Sequence, residues 1–307
     1  MKILAIETSC DETSLAIIDN DTLVCNLVLS QIKNHREYKG VIPELAARLH
    51  YENFHFLFEE MTKYNVELNS IDVITYTSEP GLPGALSVGK VLAETLSYLL
   101  NVKTYPINHI YGHINSVNID DNYLYPAIAL VVSGGHTNLY LLKDKKNYEL
   151  LGKSLDDAAG ECLDKVGKVM GLDYPAGPEI DKLANSWYGP ELPCPNLRNR
   201  HEYNFSYSGI KSYFINYWNS KPLVKEQVSY TIQNFIISDL MTKAEKAIKN
   251  YQARSFSISG GVSNNNKLRM ESIKLGEKLS IKVLIPHKEF TTDNAAMIAN
   301  AFKHINR

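Results

Sequence analysis

The chain has 307 residues, of which 44% are hydrophobic and 21% charged, an ordinary balance for a folded protein with a sizeable core. Its formal net charge of -2 gives no overall basic field, although a local basic patch would be enough to bind nucleic acid. The four cysteines are scattered without a C-x-x-C pair, which argues against zinc ribbons and disulfide scaffolds. No signal peptide or long apolar run is present, so we expect a soluble, cytoplasmic protein of about two domains.

The first half of the chain predicts three strands followed by alternating helices and strands. Short apolar runs between polar turns predict strands at 3–8, 13–18 and 23–31. Apolar residues at helix spacing predict a helix over 43–63, with Pro43 suited to its first turn. This half then continues with a strand at 71–77, a helix at about 83–100 and a short strand near 103–105.

The second half repeats this order. We predict strands at 127–132, 137–142, 148–153, 254–259 and 282–285, and helices at 156–170, 224–251, 264–278 and 293–303. Two successive units of this kind are typical of the duplicated actin-like, sugar-kinase and heat-shock ATPase fold, an α/β fold with a nucleotide between its lobes. We therefore predict an N-terminal lobe at 1–106, with the C-terminal helix at about 293–307 packing back on it. The C-terminal lobe is expected at 107–292, with an interlobe nucleotide and metal cleft; two unrelated α/β domains are the alternative.

Two apolar strands run directly into Ser-Gly-Gly, at 133–135 and at 259–261. Glycines at a strand end let backbone N–H groups approach an anion, and a following helix adds partial positive charge. A single turn of this kind is a weak indication, because most glycine-rich turns only solve a problem of backbone geometry. Two copies, placed similarly in what look like two halves, predict a phosphate-bearing ligand.

The first predicted hairpin carries two carboxylates, Asp11 and Glu12, among three hydroxyl side chains. Carboxylates near a phosphate are useful only when a metal, a lysine or a proton lies between them. The turn therefore indicates magnesium handling or proton chemistry, with a solvated turn capped by its own side chains as the alternative.

His109 and His113 are spaced four residues apart, so on a helix they lie on one face and can grip one metal ion. Ile110 stands where a zinc peptidase has its glutamate base, which weakens a peptidase interpretation. Asp293, just before the last predicted helix, is the candidate third ligand. Two histidines and one carboxylate leave open coordination positions and suit Fe²⁺ or Zn²⁺.

Six ordered segments occur together in one family. They are Glu-Thr-Ser-Cys-Asp-Glu-Thr at 7–13, Asn-His-x-x-x-His at 108–113, Ser-Gly-Gly-His-Thr at 133–137, Asp-Asp-Ala-Ala-Gly-Glu at 156–161, Ser-Gly-Gly-Val-Ser at 259–263 and Thr-Asp-Asn at 292–294. In this combination the chain resembles the bacterial-type tRNA adenosine threonylcarbamoyltransferase family, once labelled O-sialoglycoprotein endopeptidase. The resemblance runs from residue 1 to about residue 301.

The resemblance implies transfer of a threonylcarbamoyl group from threonylcarbamoyl-AMP to N6 of the adenosine 3′ to the anticodon in tRNAs reading A-starting codons, with release of AMP. It implies one divalent metal per subunit, usually iron(II) with Zn²⁺ or Mg²⁺ as alternatives, held by His109, His113 and Asp293. It implies that Asp11 and Glu12 are catalytic and that the adenylate, or ATP or ADP, binds in the cleft. The implied substrate contacts are Val132, Ser133, Gly134, Gly135, His136, Asp164, Gly177, Asp181 and Asn265.

The resemblance also implies partners: tRNA, the synthase that supplies the adenylate, an inactive paralogue of the same fold in a heterodimer, and a small ATPase, with no membrane. The helix at 43–63 is a candidate docking face. Cations and aromatics mixed at 198–211 suit RNA binding, with an ordinary surface loop as the alternative. Three other functions stay open: a metal-dependent endopeptidase, a small-molecule kinase of the same fold, and a non-catalytic scaffold.

Overall fold

A computed structural model of the chain describes residues 1–194, 202–220 and 222–306. Within these ranges the strands are β1 (Lys2–Glu7), β2 (Glu12–Asp19), β3 (Thr22–Ser30), β4 (Val73–Glu79), β5 (Lys103–Asn108), β6 (Ala127–Val132), β7 (Thr137–Leu142), β8 (Tyr148–Lys153), β9 (Ser255–Ser259) and β10 (Lys282–Leu284). The α-helices in the same ranges are α1 (Ile32–His35), α2 (Pro43–Met61), α3 (Pro83–Leu100), α4 (His109–Ser116), α5 (Ala159–Val169), α6 (Gly177–Asn185), α7 (Ser208–Ser220), α8 (Lys225–Asn250), α9 (Asn266–Leu279) and α10 (Ala295–Asn306).

The chain divides into two compact units, one made of residues 1–121 with 286–307 and the other of residues 122–285. The predicted boundary at residue 106 assigns α4 to the second unit, whereas the structure has it in the first. The reason is close packing of α4 on α10, since a Cβ atom at Gly112 would lie 2.8 Å from Cδ1 of Ile298. In the part of the chain that the structure describes, no helix combines the length and apolar character that a membrane span requires.

The first unit is built on a five-stranded sheet of order β3-β2-β1-β4-β5, with antiparallel pairs among β1, β2 and β3 and parallel pairs among β1, β4 and β5. Alternate residues of a strand point to opposite faces of the sheet. Ile3 and Ala5 of β1 accordingly belong to the core under α10, and Leu4 and Ile6 to the core under α2 and α3. Helices therefore cover both faces of this sheet.

The second unit is built on a sheet of order β10-β9-β6-β7-β8. Strands β6, β7 and β8 pair antiparallel, and β9 pairs in parallel with both β6 and β10. The strand order and pairing match those of the first sheet, with β6 in the position of β1 and β9 in the position of β4. The duplication predicted from the sequence is therefore confirmed.

Predicted strands at 127–132, 137–142 and 148–153 agree with the structure at both ends, whereas the helix predicted from 156 begins only at Ala159. Asp156 does not start that helix, because its carboxylate is used elsewhere. It accepts hydrogen bonds from the Ser206 hydroxyl at 2.5 Å, the Ser208 hydroxyl at 2.8 Å and the Tyr207 N–H at 2.8 Å. Helices α1, α6 and α7 were not predicted.

Candidate metal centre and substrate-binding loops

The two histidines lie on α4, which starts directly after β5. The Asn108 side chain caps this helix by accepting hydrogen bonds from the N–H groups of Ile110 at 3.0 Å and Tyr111 at 3.3 Å. His109 and His113 are both buried, and their ring centroids lie 4.6 Å apart. The predicted common face of the two imidazoles is therefore present.

Asp293 joins the two histidines from the turn just before α10. The first turn of that helix is anchored to the sheet, because the Ala295 N–H donates to the Ser14 hydroxyl at 2.8 Å. Asp293 Oδ1 lies 3.1 Å from His113 Nε2 and 3.6 Å from His109 Nε2. One ligand atom from each of the three residues falls within 4.8 Å of the others, although 180 positions of sequence separate His113 from Asp293.

The three residues fit a divalent metal ion. His113 is fully buried, and neither of its ring nitrogens makes a well-formed hydrogen bond to any residue that the structure describes. A buried imidazole normally has a partner, so this one is suited to an ion at Nε2, beside the Asp293 carboxylate. Two imidazoles and one carboxylate are a donor set that transition metals accept with positions left open.

The pKa values of His109 and Asp293 reflect the same arrangement. Burial opposes the charged form of His109, but the Asp293 and Glu7 carboxylates outweigh it and raise the pKa of His109 to about 9. Burial would likewise raise the pKa of Asp293, but the His109 and His113 imidazoles hold it well below its usual range. A metal ion at this point would take the place of the imidazolium proton.

Glu7, at the end of β1, lies next to Nδ1 of the His109 ring. Its carboxylate is fully buried and accepts hydrogen bonds from the Ser9 N–H at 2.5 Å and from the Thr77 hydroxyl. Its Oε2 also lies 3.4 Å from His109 Nδ1. With the proton of the neutral ring on Nδ1, the lone pair is on Nε2, the nitrogen that faces Asp293. Sequence reasoning included Glu7 in a motif but assigned it no role.

Asp11 lies in the turn between β1 and β2, and Glu12 is the first residue of β2; both are buried rather than solvated. Their side chains belong to residues only 7% and 8% exposed, so the alternative of an ordinary solvated turn is wrong. Burial raises the pKa of Glu12 well above its usual range, and the charges of Asp11 and Asp293 add to this effect. A carboxyl group of this kind is suited to proton transfer.

Both glycine loops belong to the second unit, so the prediction that they occupy similar positions in two halves is wrong. They follow β6 and β9, which are parallel neighbours, and their strand ends therefore meet at one edge of the sheet. Gly260 has a φ of 85°, and a Cβ atom there would lie 2.5 Å from the Val132 carbonyl oxygen. Cβ atoms at Gly134 and Gly135 would have no described atom within 4 Å, so this loop leaves room beside its backbone.

The other predicted substrate contacts form a connected set beside these loops. The Asp164 carboxylate accepts a hydrogen bond from the Ala176 N–H at 2.7 Å, one residue before Gly177 begins α6. Asp181 on α6 accepts from the Asn266 side chain at 2.7 Å. Asn265 caps α9 and donates to the Gln233 side chain at 2.6 Å. The loop after β6 is closed on itself by a hydrogen bond from the Ser133 N–H to the His136 carbonyl oxygen at 2.8 Å.

The predicted RNA-binding segment at 198–211 is only partly described, because residues 198–201 lie outside the described ranges. In the described part, the aromatic side chains of Tyr203, Phe205 and Tyr207 are buried in the core of the second unit. The ammonium group of Lys211 lies 2.7 Å from an Asp157 carboxylate oxygen. The interpretation of these aromatics as base-stacking residues is therefore wrong, and they are core anchors.

Comparison with solved structures identifies the fold. The chain is similar to HypF from T. kodakarensis, with a TM-score of 0.66, 12% identity and coverage of 98% of this chain but 47% of HypF, so it spans about half the length of that protein. It is also similar to the activator of 2-hydroxyisocaproyl-CoA dehydratase from Clostridium difficile, with a TM-score of 0.56, 13% identity and coverage of 100% and 96% of the two chains. These likenesses establish the duplicated actin-like fold alone.

Sequence comparison is more specific. A curated tRNA N6-adenosine threonylcarbamoyltransferase of Mycoplasma capricolum subsp. capricolum is 43% identical over 308 aligned positions, covering 97% of this chain and 96% of the relative. A model of the family described as tRNA N6-adenosine threonylcarbamoyltransferase matches residues 22–300. The chain therefore belongs to the tRNA N6-adenosine threonylcarbamoyltransferase family.

Proposed function

We propose that this chain transfers the threonylcarbamoyl group of threonylcarbamoyl-AMP to N6 of the adenosine 3′ to the anticodon in tRNAs that read A-starting codons. In this reaction N6 forms a bond to the carbamoyl carbon, the bond from that carbon to the phosphate oxygen breaks, AMP leaves and N6 loses a proton. The observation that carries the proposal is the convergence of His109, His113 and Asp293 in a chain of this family.

The metal proposed for this site is one iron(II) ion per subunit, with Zn²⁺ or Mg²⁺ as alternatives. When bound, it supplies a Lewis acid that polarises the carbonyl group under attack. His109, His113 and Asp293 would hold it, and Glu7 would orient His109 through Nδ1. Support comes from the buried His113 nitrogens, which lack well-formed hydrogen bonds to described residues.

We assign the acceptance of the N6 proton to the carboxylates at residues 11 and 12. Adenine N6 is a poor nucleophile, so a base must take its proton during attack. We assign the base to Glu12, because burial and the charges of Asp11 and Asp293 raise the pKa of Glu12, and its carboxylate is therefore a stronger base than that of an ordinary glutamate. Asp11 would contribute negative charge beside it.

The nucleotide part of the substrate is assigned to the loops of the second unit. Gly134 and Gly135 carry no side chain, so their backbone N–H groups are accessible to a phosphate oxygen. Asp164, Asp181 and Asn265 hold the starts of α6 and α9 beside them. ATP or ADP would meet the same backbone groups as the adenylate.

The proposed partners are tRNA, the adenylate-forming synthase, an inactive paralogue and a small ATPase, working together in the cytoplasm. A protein partner would dock on the outer face of α2 and α3. Tyr51 and Phe56 on α2 are 76% and 57% exposed, and Tyr98 on α3 is 87% exposed. Exposed aromatics of this kind are typical of protein interfaces. The target adenosine must be unstacked, as in an anticodon loop.

The test is reconstitution of the whole reaction. The chain is incubated with threonine, bicarbonate, ATP, the synthase, both protein partners and tRNA, and the tRNA nucleosides are then analysed by mass spectrometry. N6-threonylcarbamoyladenosine is expected with the parent chain and with His287→Leu, which changes an exposed histidine. Glu12→Gln should slow transfer about a hundredfold. Absence of the modified nucleoside with the metal-loaded parent would refute the proposed function.

A further inference from the structure

We infer that His50 is a positioning residue, which holds the turn at residues 10–12 in the conformation that presents Asp11 and Glu12. The inference rests on the proposed function of these two carboxylates. His50 lies on α2 and is fully buried. It interrupts an otherwise apolar stripe of this helix, in which the other buried residues are Ala46, Phe54, Leu57 and Met61.

The His50 ring bonds to both ends of the turn. Its Nε2 lies 3.0 Å from the Cys10 carbonyl oxygen, and its Nδ1 lies 2.8 Å from the Thr13 hydroxyl oxygen. A carbonyl oxygen only accepts hydrogen bonds, so Nε2 carries the proton. Burial lowers the pKa of His50 and favours the neutral ring, which leaves Nδ1 to accept from Thr13. One tautomer thus satisfies both bonds.

Every hydrogen-bonding position of the Thr13 hydroxyl group is occupied in this arrangement. It donates to His50 Nδ1 and accepts from the Asn53 side chain at 3.1 Å and, more distantly, from the Gln31 side chain at 3.4 Å. One donor and two acceptor positions are the complete capacity of a hydroxyl group. The orientation of the hydroxyl, and with it the start of β2 next to Glu12, is therefore fixed.

The middle of the turn is held from the same side. The Gln31 N–H donates to the Asp11 carbonyl oxygen at 2.8 Å, and the Gln31 side chain is in turn bonded to His35 Nε2 at 3.2 Å. Two consecutive turn carbonyls, those of Cys10 and Asp11, are therefore held by buried donors. Such directional bonds fix the path of the backbone and thus the direction of the attached carboxylates.

A purely structural role for His50 would be served better by an apolar side chain. Burial of a polar imidazole costs free energy that its hydrogen bonds must offset, and a leucine at this position would continue the apolar stripe of α2. What leucine cannot supply is a donor for the Cys10 carbonyl. The hydrogen bond to the Cys10 carbonyl, and not packing alone, therefore explains a histidine at this position.

The test compares His50→Leu, which removes both bonds, with His50→Gln, which retains an N–H donor. Single-turnover transfer with preformed threonylcarbamoyl-AMP should slow at least tenfold in His50→Leu, since small misplacements of catalytic groups cost up to about a hundredfold. His50→Gln should recover part of the lost rate. Metal content and adenylate affinity should be unchanged in both variants, so the effect is confined to the chemical step.

Two controls separate positioning from stability. Leu57→Ala makes a cavity on the same face of α2 without touching the turn, so it should lower the melting temperature but keep the rate of the folded protein. His287→Leu repeats the substitution at an exposed histidine and should change neither. A rate loss in Leu57→Ala equal to that in His50→Leu would overturn the inference.

Hydrogen exchange gives a measurement that does not depend on activity. The Gln31 amide reports on the turn because it donates to the Asp11 carbonyl, and its exchange should quicken at least tenfold in His50→Leu but not in Leu57→Ala. Unchanged exchange in His50→Leu would overturn the inference even if the parent chain showed no transfer, a result that would separately refute the proposed function. If Glu12→Gln slows transfer and His50→Leu does not, His50 has no positioning role.

Discussion

Replacement of Glu7 by glutamine should weaken metal binding, because the amide cannot satisfy the donors that now face the carboxylate. The two oxygens of Glu7 accept from the Ser9 N–H, from the Thr77 hydroxyl and from His109 Nδ1. In Glu7→Gln an NH₂ group must face either Ser9 or His109. In the first case two buried donors meet; in the second the proton of His109 moves from Nδ1 to Nε2, which can then no longer bind a metal.

The size of the effect follows from the geometry. Loss of a carboxylate behind a metal-bound histidine typically weakens the metal about 10- to 100-fold, or about 1.4 to 2.7 kcal/mol. The contact of 3.4 Å between Glu7 and His109 is long for a hydrogen bond, which favours the lower end of that range. The full burial of Glu7 favours the upper end, because a charge lost from a buried position is weakly screened. We expect a loss of about 30-fold.

The assay is a competition titration of the metal-free chain with Zn²⁺ and, without oxygen, with Fe²⁺ against a coloured chelator. The matched control is Glu289→Gln, which makes the same substitution at an exposed carboxylate beside His287 and should bind metal as the parent does. A folded Glu7→Gln variant with the parent's affinity for both ions would refute the reasoning. It would mean that the tautomer of His109 is set by another contact.

The other predictions concern the metal, the glycine loops and pH. His113→Ala should lower metal content and threonylcarbamoyl transfer together, as measured by elemental analysis and nucleoside analysis of the same sample; full values of both would contradict the ligand assignment. Gly134→Val should weaken adenylate binding, measured by calorimetry, with little change in melting temperature. Gly260→Val should instead destabilise the protein by about 1–3 kcal/mol, because valine would have a left-handed φ there and its Cβ would clash with the Val132 carbonyl. Equal melting temperatures for these two variants would contradict this difference. Burial would raise the pKa of Asp156, but four hydrogen bonds from residues 206–208 hold it below its usual range. The contribution of Asp156 to the unfolding free energy is therefore present above about pH 4 and is lost as the pH falls through the lowered pKa. Acid titration of unfolding should therefore be shallower in Asp156→Asn than in the parent, and identical slopes would contradict the assignment.

The candidate metal ligands could be predicted, the two histidines from a local signal and Asp293 from the expected fold. His109 and His113 are linked by helix spacing, and Asp293 stands directly before a helix whose apolar pattern is plain in the sequence. Glu7 could not be given its role, since its contact with Thr77 depends on the parallel pairing of β1 with β4. His50 was missed for a related reason, because one histidine in an apolar helical stripe gives no sign of the turn that it meets.

Most of the elements of the second unit that the sequence does not predict are short helices. Helix α6 has nine residues, and its start is held by Asp164 from α5, so its stability comes from tertiary contacts and not from its own pattern. The aromatics Tyr203, Phe205 and Tyr207 alternate along the chain, which is also the pattern of a buried extended segment. Because cations are mixed with these aromatics, the sequence alone also suits an RNA surface and does not decide between the two.

The discontinuity of the first unit determines when it can be completed during synthesis. Residues 1–121 leave the ribosome first, but one face of their sheet is covered by α10, whose residues from Ala295 to Phe302 are all buried. The second unit is continuous in sequence, and all of it is translated before α10. The nascent β1 and β2 therefore keep an uncovered apolar face until translation has passed residue 300, and such a surface is prone to aggregation in that interval. Because Asp293 also arrives in that late segment, the three candidate metal ligands come together only after nearly the whole chain has been made.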